Sequence, residues 1–260
     1  MKVLAVDVGT GTQDILLFNP RQDIENSFKL VLPSPTMIVR DRIRRATQRG
    51  QAVLLYGVMM GGGPCAWAVE DHLKAGLKVF ATPQGAQTIN DDLQAVAALG
   101  VTLVSDDEAV RLPLGVERVE LRDFNFSAIR RALEEFGLDL DDLAAVAVAV
   151  FDHGDAPPEQ SDRQFRFDYL DERVRAENRL SAFAYSSEQI PPIMTRLKAV
   201  ASSARQVPAP LVVMDTAPAA VLGASFDAQV GGLERVVIAN VGNFHTLAFR
   251  LGPGGIEGIF

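Results

Sequence analysis

The 260-residue chain reads as an α/β protein, and three features of its sequence predict that class. Strand-length apolar runs at Ala52–Tyr56, Lys78–Ala81 and Val101–Val104 alternate with helical stretches at Cys65–Ala75 and Thr88–Leu99. Such a β-α-β-α-β alternation builds a parallel layer with right-handed crossovers. Leu143–Phe151 is an almost unbroken apolar run, the mark of a central strand buried on both faces. Near each end of the chain, within Lys2–Phe18 and within Arg235–Arg250, two apolar runs flank a short glycine-bearing polar turn, the pattern of a β-hairpin.

In the first hairpin, Val3–Val8 and Ile15–Phe18 are the strands, and Asp7, Gly9, Thr10, Gly11, Thr12 and Gln13 fill the space between. Glycine lets the backbone turn tightly, so successive N–H groups can face an anion. A carboxylate beside such a cradle does not face a phosphate directly, but it can hold Mg²⁺, which takes one or two carboxylates plus water and phosphate oxygens. Ser27–Leu32 follows as a third strand, stopped by Pro33 and Pro35. Arg40–Arg49 is a helix ended by Gly50, and its Arg40, Arg42, Arg44, Arg45 and Arg49 read as a solvated basic face before an anion site.

Within the parallel layer, Gly76 and Gly100 close the two helices at their C′ positions. The loop Met59-Met60-Gly61-Gly62-Gly63-Pro64-Cys65 joins a strand to a helix, the layout of a phosphate loop. Its glycines are contiguous, no Lys-Ser/Thr pair follows, and no acidic residue ends the next strand. It therefore reads as a tight turn lining a cleft before a dinucleotide site. Cys65 at that helix start is open to a lowered pKa, although a small apolar residue is the simpler reading. Val116–Leu121 is a further strand, and Phe126, Ile129, Leu133 and Phe136 form a core-facing stripe opened by Asn125.

Past the central run comes Asp152-His153-Gly154-Asp155, at the carboxyl end of a buried strand, where α/β folds bind ligands. Asp152 and His153 are candidates for substrate or metal contact, with a structural turn as the alternative. Ala156–Tyr169 is polar and proline-broken and is expected as a long ordered loop, its Arg163 and Arg166 read as solvated before a role on an anionic substrate. Ile190–Ala204 is expected as an amphipathic helix with Pro191 and Pro192 in its first turn. Leu211–Met214 is a strand leading into the small-residue stretch Asp215–Ala224. Arg235–Ala239, the turn Asn240–Thr246, and Leu247–Arg250 form the second hairpin, and Gly255–Phe260 begins another strand.

Composition narrows the classes. With 48% hydrophobic and 22% charged residues the chain can bury a substantial core. A net charge of −8 argues against a general nucleic-acid surface or an anionic membrane. The single cysteine excludes an intramolecular disulfide framework and fits a reducing cytoplasm. No apolar run reaches the roughly 18–20 residues of a membrane helix, no signal-peptide pattern opens the chain, and no internal repeat is evident.

Asp7-Val-Gly9-Thr10-Gly11-Thr12-Gln13 resembles the first phosphate motif of the actin, heat-shock chaperone and sugar kinase (ASKHA) superfamily. Asp215-Thr-Ala-Pro-Ala-Ala-Val-Leu-Gly-Ala resembles its first connecting helix, and Asn240-Val-Gly242-Asn243-Phe-His245-Thr246 its second phosphate motif. The resemblance implies an actin-like ATPase (ribonuclease H-like) fold with an inserted parallel βαβαβ layer and a truncated second domain. The implied first domain is 1–209, and 210–260 would hold the connecting helix and the start of the second. The departures are Asn240 where the motif has aspartate, Asn243 where it has a second glycine, and His245 where it has a smaller residue. The second connecting helix and the adenosine-binding glycine motif are not found. The chain as a whole resembles an uncharacterised prokaryotic family labelled as pyruvate formate-lyase activating-like. A radical-SAM activator needs three cysteines for its iron–sulfur cluster, and these 260 residues hold one.

Two functions follow from the resemblance. One is an ATP- and Mg²⁺-dependent phosphotransferase or ATPase in the cytoplasm. In it Asp7 holds the metal, Gly9–Gln13 and Asn240–Thr246 clamp the phosphates, and Asp215, or Asp152 with His153, orients the attacking group. The other is a non-catalytic sensor of a nucleotide or phosphorylated small molecule using the same cleft.

Overall fold

The computed structural model describes residues 1–157 and 159–260, so residue 158, inside the stretch expected as a loop, lies outside the described residues. The chain opens with β1 (Lys2–Val8), β2 (Thr12–Phe18) and β3 (Phe28–Pro33), an antiparallel meander, then α1 (Pro35–Gln48). Helix α1 starts five residues earlier than expected. Pro35 does not stop it but occupies its first turn, where the missing N–H costs nothing, and Ser34 caps it by accepting from Met37 N. Next come β4 (Val53–Gly57), α2 (Pro64–Lys74), β5 (Val79–Ala81), α3 (Pro83–Ala86), α4 (Leu93–Ala98), β6 (Thr102–Leu103), α5 (Asp106–Arg111) and β7 (Glu117–Leu121). The helix expected over Thr88–Leu99 is thus shortened to α4, capped by Asp92, and a separate short helix, α3, capped by Thr82, precedes it.

The chain then runs through α6 (Phe126–Glu134), β8 (Leu143–Val150), α7 (Asp162–Ala176), β9 (Ala184–Ser186), α8 (Thr195–Ser203), β10 (Leu211–Asp215), α9 (Thr216–Ser225) and α10 (Ala228–Gly231). It closes on β11 (Val236–Val241), β12 (Thr246–Gly252) and β13 (Gly255–Ile259). Two expectations fail here. Most of the expected Ala156–Tyr169 loop is helix α7, begun by the Ser161 cap. Helix α8 begins at Thr195, after Pro191 and Pro192, not around them.

These elements make an α/β fold with three sheets. The six-stranded mixed sheet runs β3-β2-β1-β8-β10-β9, with β1, β8 and β10 mutually parallel at its centre. Strands from both sides of the expected boundary at 209 therefore share one sheet. The four-stranded sheet β6-β5-β4-β7 is wholly parallel, as the alternation predicts, and the three-stranded sheet β11-β12-β13 is an antiparallel meander.

Each sheet has its own core. Leu4, Val6, Val146, Val148 and Val213 of the central sheet pack under Ile129 and Leu133 of α6 and Leu197 and Val200 of α8. Phe136 of the expected stripe is the exception: it lies beyond α6, is exposed, and leans on Phe28. In the parallel layer Val53, Leu55, Val79 and Val119 pack on Val39 and Ile43 of α1 and Val69 of α2. Val221 of α9 joins Leu247, Phe249 and Ile256 of the third sheet to Leu170 and Phe183. Truncating a fully buried residue such as Ile43 or Phe249 to alanine costs about 2–5 kcal/mol.

The arginine-rich face of α1 is solvated and ion-paired, as its composition suggests. Arg40 bonds Asp41, and Arg42 bonds Glu117 and the Arg118 carbonyl.

Candidate functional site

The carboxyl ends of β1, β8 and β10 in the central sheet and of β4 and β5 in the parallel layer open onto one cavity of about 1050 Å³. Open α/β sheets bind ligands outside the carboxyl ends of their parallel strands, in the crevice left where the strand order reverses. Within the parallel layer, β5 and β6 lie on one side of β4 and β7 on the other, so the loop after β4 sits at a reversal of strand order.

Three glycine-bearing loops meet in the cavity. The β1–β2 turn and the β11–β12 turn are built alike: four residues each, closed by Gly9 N donating to Thr12 O (2.9 Å) and Gly242 N donating to His245 O (2.9 Å). A Cβ added to Gly11 would lie 3.0 Å from Asn243 Nδ2, so the two turns touch. The third loop is Gly61–Gly63. Gly63 has φ +67°, and its missing Cβ would face Phe244 and Thr10 at 3.9 and 4.0 Å. A Cβ on Gly62 would meet the Thr88 carbonyl oxygen at 2.6 Å, which explains why a side chain is missing there. Trp67 of α2 packs edge-on against Phe244 (5.7 Å between rings), joining the parallel layer to the second turn across the cavity.

The segment Ser34-Pro35-Thr36 clips two of these loops to α1. Ser34 Oγ donates to Thr10 O at 2.5 Å and Ser34 N to Gly11 O. Thr36 Oγ1 donates to Gly62 O at 2.6 Å and accepts from Cys65 N. Both side chains are buried. A Ser-Pro pair ahead of a helix is a legible start signal, and reading it as a strand stop hid both roles.

Asp7, near the end of β1, lines the cavity and accepts from Thr216 Oγ1 (3.1 Å) at the start of α9. Burial raises its carboxyl above the ordinary 3.8, and Asp14 and Asp215 add to the rise against Thr216 and Arg196. Gly9, Thr10, Gly11, Thr12, Asn240, Gly242, Asn243, His245, Asp152 and His153 also line the cavity. Gln13, Thr246 and Asp215 do not. Gln13 Nε2 donates to Pro33 O, across the meander. Asp215 is a structural hub: Oδ1 caps α9 through Ala217 N and accepts from Arg166 Nη2 (2.6 Å), while Oδ2 accepts from Asp152 N. With its oxygens so committed it positions other groups and is not free to take a substrate proton.

Asp152 is similarly used, accepting from Gly154 N and from Leu197 N in the first turn of α8. Burial pushes its pKa up against those two N–H groups. His153 differs. Its Nδ1 lies 2.8 Å from Gly154 O, which can only accept, so Nδ1 donates and Nε2 is the ring nitrogen left for another partner. His245 stacks on Phe151 (4.4 Å, 12°). Its pKa is lowered by burial and then by Arg166, Arg163 and His153, which keeps it neutral at pH 7.

Two arginines belong to the site: Arg196, which no motif in the sequence marks, and Arg166, for which an anionic substrate is the less favoured of two expectations. Arg196 of α8 forks onto Asp123 (2.7 and 2.9 Å) and donates to Phe151 O (2.6 Å). Desolvation opposes its charge, but Asp123, with Asp152 and Asp215 beyond, outweighs it and raises the pKa. Asp123 also accepts from Gly61 N, so this pair ties the glycine loop to the end of β8. Arg166, expected in a solvated loop, is buried on α7 with its guanidinium 3.9 Å over the Phe151 ring. Lone surface-type arginines carry no sequence signal for burial, because burial depends on partners 49 and 73 residues away.

Cys65 is buried against Gly61 O, and desolvation pushes its thiol up to about 11. The option of a lowered pKa is thereby corrected, and the residue is a small apolar filler. Among the described residues no group of three or more His, Cys, Asp or Glu is arranged to hold a metal unaided, and no helix is long and apolar enough to cross a membrane.

The profile of one protein family matches residues 60–260, the family described as "Putative pyruvate format-lyase activating enzyme (DUF1786)". No curated protein matches the chain.

Proposed function

The chain belongs to that DUF1786 family, and we propose that it is an ATP- and Mg²⁺-dependent phosphotransferase or ATPase with an actin-like architecture. The observation that carries this reading is the contact of two equal four-residue turns, Gly9–Thr12 and Gly242–His245, beside a desolvated carboxylate, Asp7. Gly9 and Gly242 use their own N–H groups to close the turns, so the amides between are left to face phosphate oxygens from two sides.

Asp7 fits a hard divalent cation, being a half-buried carboxylate with no ion-pair partner among the described residues. With only one such carboxylate well placed, Mg²⁺ would be held by Asp7, water and the phosphates themselves. The ion, when bound, neutralises charge on the transferred group. His153 lines the cavity with Nδ1 already used by Gly154 O, which supports it as the group that takes a proton from the attacking hydroxyl or water through Nε2. Asp215 and Asp152 hold the strand ends that carry it. Phosphoryl transfer asks mainly for positioning and charge neutralisation, which these groups supply.

The activity in the family description is a poorer match to these residues. An iron–sulfur activator needs three thiolates, and this sequence carries one buried thiol. A second reading, a sensor of a nucleotide or phosphorylated metabolite without turnover, is favoured by Asn240, which lines the cavity where a metal-binding aspartate is expected. Thermal stabilisation by ATP, ADP or phosphate with and without Mg²⁺, followed by a phosphate-release assay, tests both. Metal-dependent stabilisation lost in Asp7→Asn supports the shared site, and turnover then separates enzyme from sensor. Ligand binding that Asp7→Asn leaves unchanged removes the metal role.

A further inference from the structure

We infer that one end of the cavity, around Phe151, is a separate subsite for a carboxylate on the acceptor, formed by Arg166 and His245. The inference rests on reading the cavity as a substrate site, but not on the metal or the nucleotide. Arg166 is 7% exposed, lines the cavity, and holds its guanidinium carbon 3.9 Å from the centre of the Phe151 ring. Asp215 Oδ1 takes one N–H of Nη2, and the buried Nε has no partner among the described residues. A buried guanidinium with unused donors is costly unless something completes its hydrogen bonding.

His245, stacked on the same ring and lining the same cavity, is neutral and offers an N–H in place of a second charge. Planar donors held against an aromatic face suit a planar oxyanion, because a carboxylate can lie in the guanidinium plane and accept two bonds. The acidic side chains Asp91, Asp155 and Asp162 also line the cavity and disfavour an anion beside them, so Arg166 and His245 mark the part that suits one. The backbone amides of the Gly9 and Gly242 turns do not supply this chemistry; of the two turns only the His245 side chain takes part.

The test uses succinate as a probe and succinamide as its uncharged match, both titrated in metal-free buffer at constant ionic strength and followed by calorimetry. Succinate is expected to bind wild type in the millimolar range and succinamide not to bind. Arg166→Lys, which keeps a cation beside Asp215 but loses the planar fork, is expected to weaken succinate about tenfold. His245→Ala, an exposed turn residue, is expected to weaken it severalfold with the fold intact, and it decides the matter if Arg166→Lys does not fold. Equal binding of succinamide, no binding of succinate to wild type, or unchanged affinity in His245→Ala overturns the subsite. Wild type is also titrated with Mg²⁺–ADP. Succinate binding lost in the variants while Mg²⁺–ADP fails to bind wild type leaves the subsite standing and removes the nucleotide reading, and the reverse pattern removes only the subsite.

Discussion

Replacing Asp123 by alanine removes three acceptor contacts at once: two from Arg196 at 2.7 and 2.9 Å, and one from Gly61 N at 3.2 Å. The side chains of the pair are 2% and 16% exposed, so the change leaves a buried cation without its main partner. Breaking such a pair from one side costs about 3–5 kcal/mol. Asp152 and Asp215 still favour the Arg196 charge, which places the expected loss near the lower end, about 3 kcal/mol. For a chain of this size that is a fall in Tm of roughly 6 °C. Glu117→Ala is the internal control. It breaks the forked pair with Arg42, but those side chains are 35% and 28% exposed, and the expected loss is at most about 1 kcal/mol. Urea and thermal unfolding of both variants, with Asp123→Ala/Arg196→Met to recover part of the loss, measure the contrast. An Asp123→Ala loss no larger than that of Glu117→Ala would refute the claim that burial, rather than the presence of a forked ion pair, sets the energy.

Asp7→Asn is expected to stabilise the ligand-free protein at neutral pH. The folded-state pKa is raised, so the carboxylate opposes folding above it; the gain shrinks as pH falls through that pKa and is gone below about 3.8, a course that pH-resolved unfolding follows. Gly62→Ala forces a methyl against the Thr88 carbonyl and is expected to cost about 1–3 kcal/mol by unfolding, whereas Gly254→Ala, in open space, changes little. Cys65 is expected to react with a thiol reagent at pH 8 far more slowly than free cysteine, at a rate set by opening of the α2 start, and full-speed labelling of the native protein would contradict its burial. Ser34→Ala removes both the α1 cap and the bond to Thr10 O. It is expected to destabilise by about 1–2 kcal/mol and to weaken phosphate stabilisation in the thermal-shift assay.

What was legible in the sequence was whatever is encoded locally. The strands were read because apolar runs with glycine punctuation are short-range signals, and Gly76 and Gly100 end their helices with positive φ as their C′ placement implied. The equal turns at Gly9 and Gly242 were found as motifs, although Val-Gly is nearly all their sequences share. Reading failed where local and distant signals diverge. Pro35 looks like a terminator but serves as a first-turn residue, and Ala156–Tyr169 looks like a loop because α7 is polar on most faces while burying Arg166 and Leu170. Asp215 was rightly placed at a strand end but assigned to chemistry. The three groups that occupy it, Arg166, Asp152 N and Ala217 N, are a residue 49 positions away and two backbone amides, none of which leaves a local signal.

The sole tryptophan of the chain stands half-exposed where the parallel layer touches the second turn, with Phe244 as its edge-on neighbour. Its fluorescence is therefore a built-in gauge of the gap between those two bodies, free of background from any other indole. Emission that shifts when a ligand enters, and stops shifting in Phe244→Ala, would time the approach of the walls without any attached dye.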